Sequence, residues 1–354
     1  MKRGDFLKKT AAITINLRKF RPIFFSAVFL SVITLSIVLS KSLPAITLDE
    51  NAFRFFLSSN VALENEKALL SGVFSLNKKV ISPEGIRETV SKDFEETFPP
   101  IETLKVPSKV SADASVEISD TTASGINADN FLSPLPSFLE EDFSVLIVHT
   151  HTTESYTPSR KFSYIPSDTD RTTDKNFNMV RVGEEIKNVL EAKGVKVYHD
   201  TSLNDHPSYS GSYNRSAADI ESYIKKDPSI KIVLDVHRDA IEGKNGEKVK
   251  HTTRIDGIDA AKIMFVVGSN QSGLNHDNWE ENMRFAVQLQ KHTKSLYPNL
   301  CRPINFRSQR FNQQLAPGGI IVEVGTNGNT LDEAILGARY FAISLCDFIE
   351  SKKK

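Results

Sequence analysis

The sequence has very little cysteine and no excess of charge of either sign. It contains 2 cysteines in 354 residues, Cys301 and Cys346, which excludes a disulfide framework and a cysteine-based metal site. The 44 basic residues are balanced by 44 acidic residues, so the composition does not indicate nucleic acid as a partner. An internal repeat is also lacking, which excludes a solenoid or propeller. We therefore expect an ordinary hydrophobic core in which both cysteines are buried free thiols.

One long apolar run interrupts this mixed composition near the N-terminus. Residues 22–40, PIFFSAVFLSVITLSIVLS, carry no charge and are about as long as a helix must be to cross a bilayer core. Residues 1–21 contain seven Lys or Arg residues and one acidic residue, so they are expected in the cytoplasm and the rest of the chain outside. We interpret 22–40 as a transmembrane anchor. The alternative is a cleaved signal peptide, since SLPAIT follows with small residues.

Residues 41–141 show little regular patterning. A helix is predicted around residues 60–76, but residues 77–138 are punctuated by Ser, Pro and Asp without sustained periodicity. We therefore expect an extracytoplasmic stalk or small module, partly disordered, between the anchor and the remainder of the chain.

From residue 142 to residue 354, apolar strands alternate with amphipathic helices. Short apolar runs predict five buried strands: SVLIVH, VKVYH, IKIVLDVH, AAKIMFVVG and GIIVEVG. This alternation indicates an α/β domain with a mainly parallel sheet flanked by helices.

The helices carry clear boundary signals. The first helix should bury one apolar face, formed by Met179, Val182, Ile186 and Leu190. Gly194 should end it. Asp277 is expected to cap the long helix after the fourth strand, and Thr330 with Glu333 forms a capping box for the last helix.

Ligand-type side chains accompany three of the predicted strands. His149, His151 and Glu154 follow the first strand, His237 ends the third, and Glu323 lies in the fifth. Because parallel strands present their ligands at their carboxyl ends, we expect these side chains at one edge of the sheet. Two imidazoles and one carboxylate are a usual ligand set for catalytic zinc, and a second carboxylate can take the proton of an attacking water. The sequence therefore predicts a zinc site that hydrolyses an amide.

Two positions of this ligand set have rival candidates. His151 lies past the strand end, where the loop faces the cleft, so we favour it over His149, which would be packed behind the site. Glu154 follows His151 by three residues, and Asp174, just before the first long helix, is its rival as third ligand. His237 ends a very apolar strand, where an imidazole without a partner would cost on the order of 1–3 kcal/mol.

A carboxylate within GIIVEVG requires a reason for its burial. Glu323 would be expelled or protonated unless it served a site or paired with an arginine, and we assign it as the catalytic acid–base residue. Polar residues near these strands are candidates for binding the substrate: Arg238, Arg310, Asn312 and Gln313.

The motifs, in their order and spacing, resemble the stage II sporulation protein P family. They are HTHTTESY, NMVRVG, YNRS, DVHRDA and RFNQQLAPGGIIVEVGTNGNTLDEA, within residues 145–348, together with the N-terminal anchor. The resemblance implies an amidase-like fold, a Zn²⁺ cofactor and cleavage of the N-acetylmuramoyl-L-alanine amide of peptidoglycan during engulfment in endospore formation. It also implies endopeptidase activity on peptide cross-links. Carried over by position, His151 and His237 are metal ligands, Glu154 or Asp174 is the third ligand, and Glu323 is catalytic.

The resemblance further implies stage II sporulation proteins D and M as partners, and a single-pass location in the cell membrane with the catalytic domain outside. The alternative from another class is a catalytically inactive protein of the same fold that binds peptidoglycan or acts as a scaffold. The presence of Glu323 with the full ligand set favours an enzyme, because an inactive scaffold would be free to lose these residues.

Overall fold

The computed structural model describes residues 98–352, except 109, 112–113 and 168. The predicted anchor at 22–40 and the predicted helix at 60–76 lie outside these residues. Within the described part of the chain, no helix combines the length and the apolar character that crossing a bilayer requires.

The strands, in chain order, are β1 (Ile118–Asp120), β2 (Ser144–Val148), β3 (Val197–His199), β4 (Ile230–Asp239), β5 (Thr252–Ile255), β6 (Ile258–Ala261), β7 (Ile263–Gly268), β8 (Ile304–Arg307) and β9 (Gly318–Thr326). The α-helices are α1 (Met179–Ala192), α2 (Ser212–Lys226), α3 (Trp279–Leu296) and α4 (Leu331–Lys352).

A seven-stranded sheet in the order β1-β8-β7-β9-β4-β2-β3 forms the centre of the fold. Its neighbours pair in parallel except β7 and β9, which are antiparallel. The predicted mainly parallel sheet with flanking helices is thus confirmed. The carboxyl ends of β2, β4 and β9 meet at one edge, because Val148 pairs with Asp235 and His237 pairs with Glu323.

The two faces of this sheet are covered differently. Ile147 of β2 and Leu234 of β4 face the main core, to which α1, α3 and α4 all contribute. Leu146 and Val148 point the other way, into a smaller cluster beneath α2. This alternation is the ordinary consequence of the two-residue period of a strand. The second face is therefore the one with room for a site.

Helix boundaries follow the sequence in two of the three predicted cases. The apolar face of α1 is buried as predicted, and Gly194 follows with a φ of +79°. The capping box of α4 is confirmed, since the N–H of Thr330 donates to Glu333 at 3.1 Å and the N–H of Glu333 to Thr330 Oγ1 at 3.5 Å. The predicted cap of α3 is wrong: Asn278 precedes that helix without a capping side chain, and Asp277 accepts instead from Asn275 at 3.0 Å.

Residues 98–141 belong to the folded body, which differs from the expected domain boundary at 142. β1 lies in this stretch and pairs with β8, and Phe98, Leu104, Phe131 and Phe138 are part of the main core. One short strand and scattered aromatic side chains produce no periodic signal, which explains why the sequence pattern did not reveal them. Both cysteines are buried and free, as expected.

Candidate active site

Two histidines two residues apart take different positions after β2. His149 is fully buried, with Nδ1 2.9 Å from the carbonyl oxygen of Val236 and Nε2 2.9 Å from Nε2 of His199. A Cβ on Gly183 of α1 would lie 2.6 Å from Nε2 of both imidazoles, so α1 packs directly onto this pair. Burial, reinforced by His199, lowers the pKa of His149 to about 3. His149 is therefore a neutral packing residue on the face of the sheet that α1 covers.

His151 lies in the loop after β2, against His237. The two imidazole centroids are 5.2 Å apart and nearly perpendicular. The ring of Tyr209 stacks on His151 at 4.4 Å, and its hydroxyl lies 3.0 Å from His151 Nε2. The Nδ1 atom of His151 is buried without a hydrogen-bond partner. Burial lowers the pKa of this imidazole, and so does the neighbouring His237, which favours the neutral form that binds metals.

Glu154 lies directly beside His237. Its Oε2 is 3.4 Å from His237 Nδ1 and accepts the backbone N–H of Arg238 at 3.3 Å. Arg171 lies 3.6 Å from the other carboxylate oxygen. Burial alone would raise the pKa of Glu154, but the hydrogen bond with His237 and the charge of Arg238 outweigh it and lower the pKa to about 2. Glu154 is thus an ionised, buried carboxylate at the site.

Asp235 supports His237 from the same face of β4. Its two oxygens accept the N–H and the hydroxyl of Thr150 at 2.8 and 2.6 Å, which ties β4 to the loop after β2. Its Oδ1 also lies 2.9 Å from His237 Nε2, within ion-pair distance of the imidazole. Burial would lower the pKa of His237, but the carboxylates of Asp235 and Glu154 raise it well above its ordinary value.

Glu323 is the register partner of His237 on the neighbouring strand. The side chain is half-buried, but Oε2 is shielded from solvent and has no hydrogen-bond partner. Burial raises the pKa of Glu323 to about 8, even though His237 acts in the opposite direction. A perturbed carboxyl group beside a histidine–carboxylate cluster is a typical feature of a catalytic site.

The structure separates the two rivals for the third ligand position. Asp174 is exposed and accepts the N–H of Asn176 at 2.9 Å, so it closes its own turn. Of these two rivals, Glu154 is the one that lies against His237, at 3.4 Å. The geometry therefore favours Glu154.

The residues predicted to bind substrate mainly hold loops in place. Arg238 is buried and donates to the carbonyls of Ser155 and Asp170, both at 2.9 Å. The side chain of Gln313 is buried between the N–H of Gly268 at 2.8 Å and the carbonyl of Val266 at 2.9 Å. These contacts hold loops in place, and a substrate role for Arg238 and Gln313 stays a prediction.

Arg310 and Asn312 are also engaged within the protein. Arg310 donates to the carbonyl of Asn275 at 2.9 Å. Asn312 donates to the carbonyl of Tyr213 at 2.7 Å and to Ser216 Oγ at 3.1 Å. A substrate role for these two residues stays a prediction.

Sequence reasoning missed three residues at the site. Tyr209 stacks on His151, and Tyr213 meets the same imidazole edge-on at 5.5 Å. Burial raises the pKa of Tyr213, which keeps its hydroxyl protonated. The third is Asp235, two residues before His237 in an apolar strand, where the same burial argument that selected Glu323 would have found it. The tyrosines, in PSYSGSYNRS, had no comparable signal.

The donor set fits a zinc ion, although it is not preassembled around one. Among residues 98–352 with the gaps given above, no group of three or more His, Cys, Asp or Glu side chains is already placed to hold a metal ion. Glu154 and His237 pair with each other instead, and Asp235 approaches the second nitrogen of His237. Two neighbouring atoms remain buried without a partner: His151 Nδ1 and Glu323 Oε2. Such groups are costly unless something binds them.

Comparisons with known proteins place the chain in a family. The family model "Stage II sporulation protein P (SpoIIP)" matches residues 65–345. Stage II sporulation protein P of Bacillus subtilis (strain 168) is 28% identical over 200 residues, which are 53% of this chain and 47% of that protein. The chain thus spans about half the length of this relative.

Solved structures similar to the chain include two amidases. The N-acetylmuramyl-L-alanine amidase Ami1 from Mycobacterium smegmatis is 15% identical with a TM-score of 0.35, over 59% of this chain and 97% of that chain. The catalytic domain of CwlV, an amidase from Bacillus (Paenibacillus) polymyxa, is 11% identical with a TM-score of 0.36, over 59% and 99%. Because the family model matches well over half of its residues, this chain belongs to the stage II sporulation protein P family.

Proposed function

We propose that the protein is a zinc-dependent peptidoglycan hydrolase that cleaves the amide between N-acetylmuramic acid and the L-alanine of the stem peptide. The observation that carries the proposal is the convergence of His151, Glu154 and His237 with Glu323 near the carboxyl ends of β2, β4 and β9. Membership of the sporulation family supports a role in spore formation.

His151, Glu154 and His237 are the residues that would hold the ion. Zinc, when bound, supplies positive charge that polarises the amide carbonyl and lowers the pKa of water. Thr150 and Asp235 fix β4 against the loop that carries His151. Arg238 holds the backbone of the same loop through Ser155. The ligands are thereby positioned by the folded chain.

Glu323 is the proposed general base and acid. Its unpartnered Oε2 can take a proton from the attacking water and return it to the leaving amine. Its pKa of about 8 applies to the metal-free chain, and a cation nearby would lower that pKa and favour the ionised base. The location of Glu323 on the strand next to His237 supports this role.

The wider setting of the reaction is also proposed. The apolar run at 22–40 supports a membrane anchor with the catalytic domain on the extracytoplasmic side. The family resemblance supports action during engulfment, cleavage of peptide cross-links as a second activity, and stage II sporulation proteins D and M as partners.

Metal content and product chemistry together test this proposal. Purified full-length protein is expected to bind one zinc ion and to release stem peptides with free L-alanine N-termini from sacculi. Glu323→Gln should abolish release, and Glu221→Gln, which changes an exposed carboxylate on α2, should retain it. Protein that binds sacculi but holds no zinc and releases no peptide would instead support the inactive scaffold.

A further inference from the structure

Two consecutive bulky residues adopt a left-handed backbone conformation in the loop before β9. Phe311 has a φ of +51° and Asn312 a φ of +61°. Asparagine tolerates this region, but phenylalanine does so rarely because its Cβ crowds the following carbonyl. Strained positions of this kind persist only when the surrounding structure imposes them, and they cluster at functional sites.

The surrounding structure holds this turn from both sides. The side chain of Asn312 donates to the carbonyl of Tyr213 and to the hydroxyl of Ser216, both on α2. The side chain of Gln313 bridges the N–H of Gly268 and the carbonyl of Val266 on β7. A Cβ on Gly268 would lie 2.1 Å from the carbonyl oxygen of Gln309, so the loop lies directly on the end of β7. The two amide side chains thus fix the conformation that places Phe311.

Phe311 contacts residues that border the candidate site on two sides. Its half-buried side chain packs on a cluster formed by Met264, Val266 and Ile321. Met264 is the register partner of Glu323, and Ile321 precedes Glu323 by two residues on the same face of β9. On its other side the ring of Phe311 is 6.0 Å from that of Tyr213, which is 5.5 Å from His151.

We infer that the half-buried ring of Phe311, supported from beneath by the buried side chains of Met264 and Ile321, forms an apolar wall that binds a methyl group next to the scissile amide. This inference depends on the proposed function. The side chains of the wall offer no hydrogen-bonding group, so they favour a small apolar substituent over sugar hydroxyls or peptide carboxylates. The proposed substrate carries one such methyl on each side of the amide, in the lactyl group of muramic acid and in L-alanine. Phe311 is thus a specificity-determining residue.

Three synthetic muropeptides test the wall with the full-length chain. The parent carries both methyl groups, the second substrate has glycine in place of L-alanine, and the third lacks the lactyl methyl. The wild-type kcat/KM is expected to fall roughly 10- to 200-fold for one of the two analogues, which identifies the methyl that is bound. In Phe311→Ala the kcat/KM of that analogue should come within about threefold of the parent, because one methyl no longer has a wall to contact. Phe311→Leu should keep most of the discrimination.

Phe311→Gly separates the ring from the backbone. Both Phe311→Gly and Phe311→Ala remove the ring, but only glycine accepts the left-handed conformation without strain. The melting temperature of Phe311→Gly should therefore be higher than that of Phe311→Ala. Loss of discrimination in both variants, with wild-type zinc content, supports the inference. Discrimination between the parent and the analogue that survives in Phe311→Gly or in both variants overturns the inference. A wild type that cleaves both analogues as well as the parent overturns it too. In each of these cases the proposed function stands. A wild type that cleaves no muropeptide overturns both.

Discussion

The two faces of the central sheet are formed by the same strands but differ in their buried side chains. One face is mainly apolar, and the other carries buried polar groups. On the face covered by α1, α3 and α4, apolar side chains of the strands and of these three helices form one continuous core. On the other face the apolar side chains split into two small clusters, one beneath α2 and one beside Phe311. Asp235 and His237 of β4 and Glu323 of β9 interrupt the apolar pattern on this face. Buried polar side chains therefore occupy positions on this face that apolar side chains would fill in an ordinary core. This difference marks the face that carries the candidate active site.

His149 and His151 show the same contrast within three residues. His149 is paired with Val236 and His199 on the core face. His151 keeps an unpartnered Nδ1 on the opposite side. An imidazole that is fully satisfied serves packing, and one that is left unsatisfied is available to a ligand.

The largest expected effect comes from Glu323→Gln. The amide keeps the size of the side chain but cannot accept the proton of water, so hydrolysis of muropeptides should fall by roughly 10²- to 10⁴-fold. Steady-state release of free L-alanine N-termini measures this loss. Zinc content and the melting temperature should stay close to wild type, and activity within about tenfold of wild type would remove Glu323 from the chemistry.

The second effect distinguishes the two histidines. His151→Ala should weaken zinc binding by more than about 100-fold, since even partners of a ligand contribute 10- to 100-fold. His149→Ala should keep zinc but lower the free energy of unfolding by about 1–3 kcal/mol, because it leaves the carbonyl of Val236 and Nε2 of His199 without the partner that His149 provides. Competition with a zinc chelator and urea unfolding measure the two quantities. Equal zinc affinities in both variants would contradict the assignment.

A third variant tests the core face alone. In Gly183→Ala the new Cβ would meet Nε2 of His149 and His199 at 2.6 Å, so the free energy of unfolding should fall by about 1–3 kcal/mol. Zinc affinity should change much less than in His151→Ala. Ala192→Gly at the exposed end of α1 measures the helix-propensity contribution of one methyl group, about 1 kcal/mol, with which the result for Gly183→Ala is compared. Stability equal to wild type would show that α1 does not press on this pair.

The last prediction concerns the pH dependence of the metal-free protein. The pKa of Glu323 is raised from 4.5 to about 8 in the folded chain. Above pH 4.5 the unfolded chain releases this proton while the folded chain keeps it, so stability falls as the pH rises toward 8. Glu323→Gln cannot ionise, and its free energy of unfolding should therefore fall less between pH 5 and pH 8. Parallel pH profiles from urea unfolding would contradict the raised pKa.

Much of the fold could be predicted because it is encoded locally. Buried strands and the apolar face of α1 follow from periodicity, and the box of Thr330 and Glu333 marks α4. β1 and the β5–β6 hairpin escaped because three or four residues are too few for a periodic signal. The cap of α3 failed because Asp277 found a partner in Asn275.

Burial in an apolar strand makes a polar residue conspicuous in the sequence. His237 and Glu323 stand in apolar strands, and the structure makes them register partners. Arg238 and Gln313 donate to backbone groups, which the sequence alone could not show. The strain at Phe311 depends on contacts with α2 and β7, which are distant in sequence.

A zinc-loaded structure of the full-length chain, with anomalous diffraction at the zinc edge, tests the central claim most directly. The account predicts one ion bound by His151, Glu154 and His237, with Glu323 beside it and His149 still paired with His199. An ion bound by Asp174 or by His149, or a chain that takes up no zinc at this edge of the sheet, would contradict it.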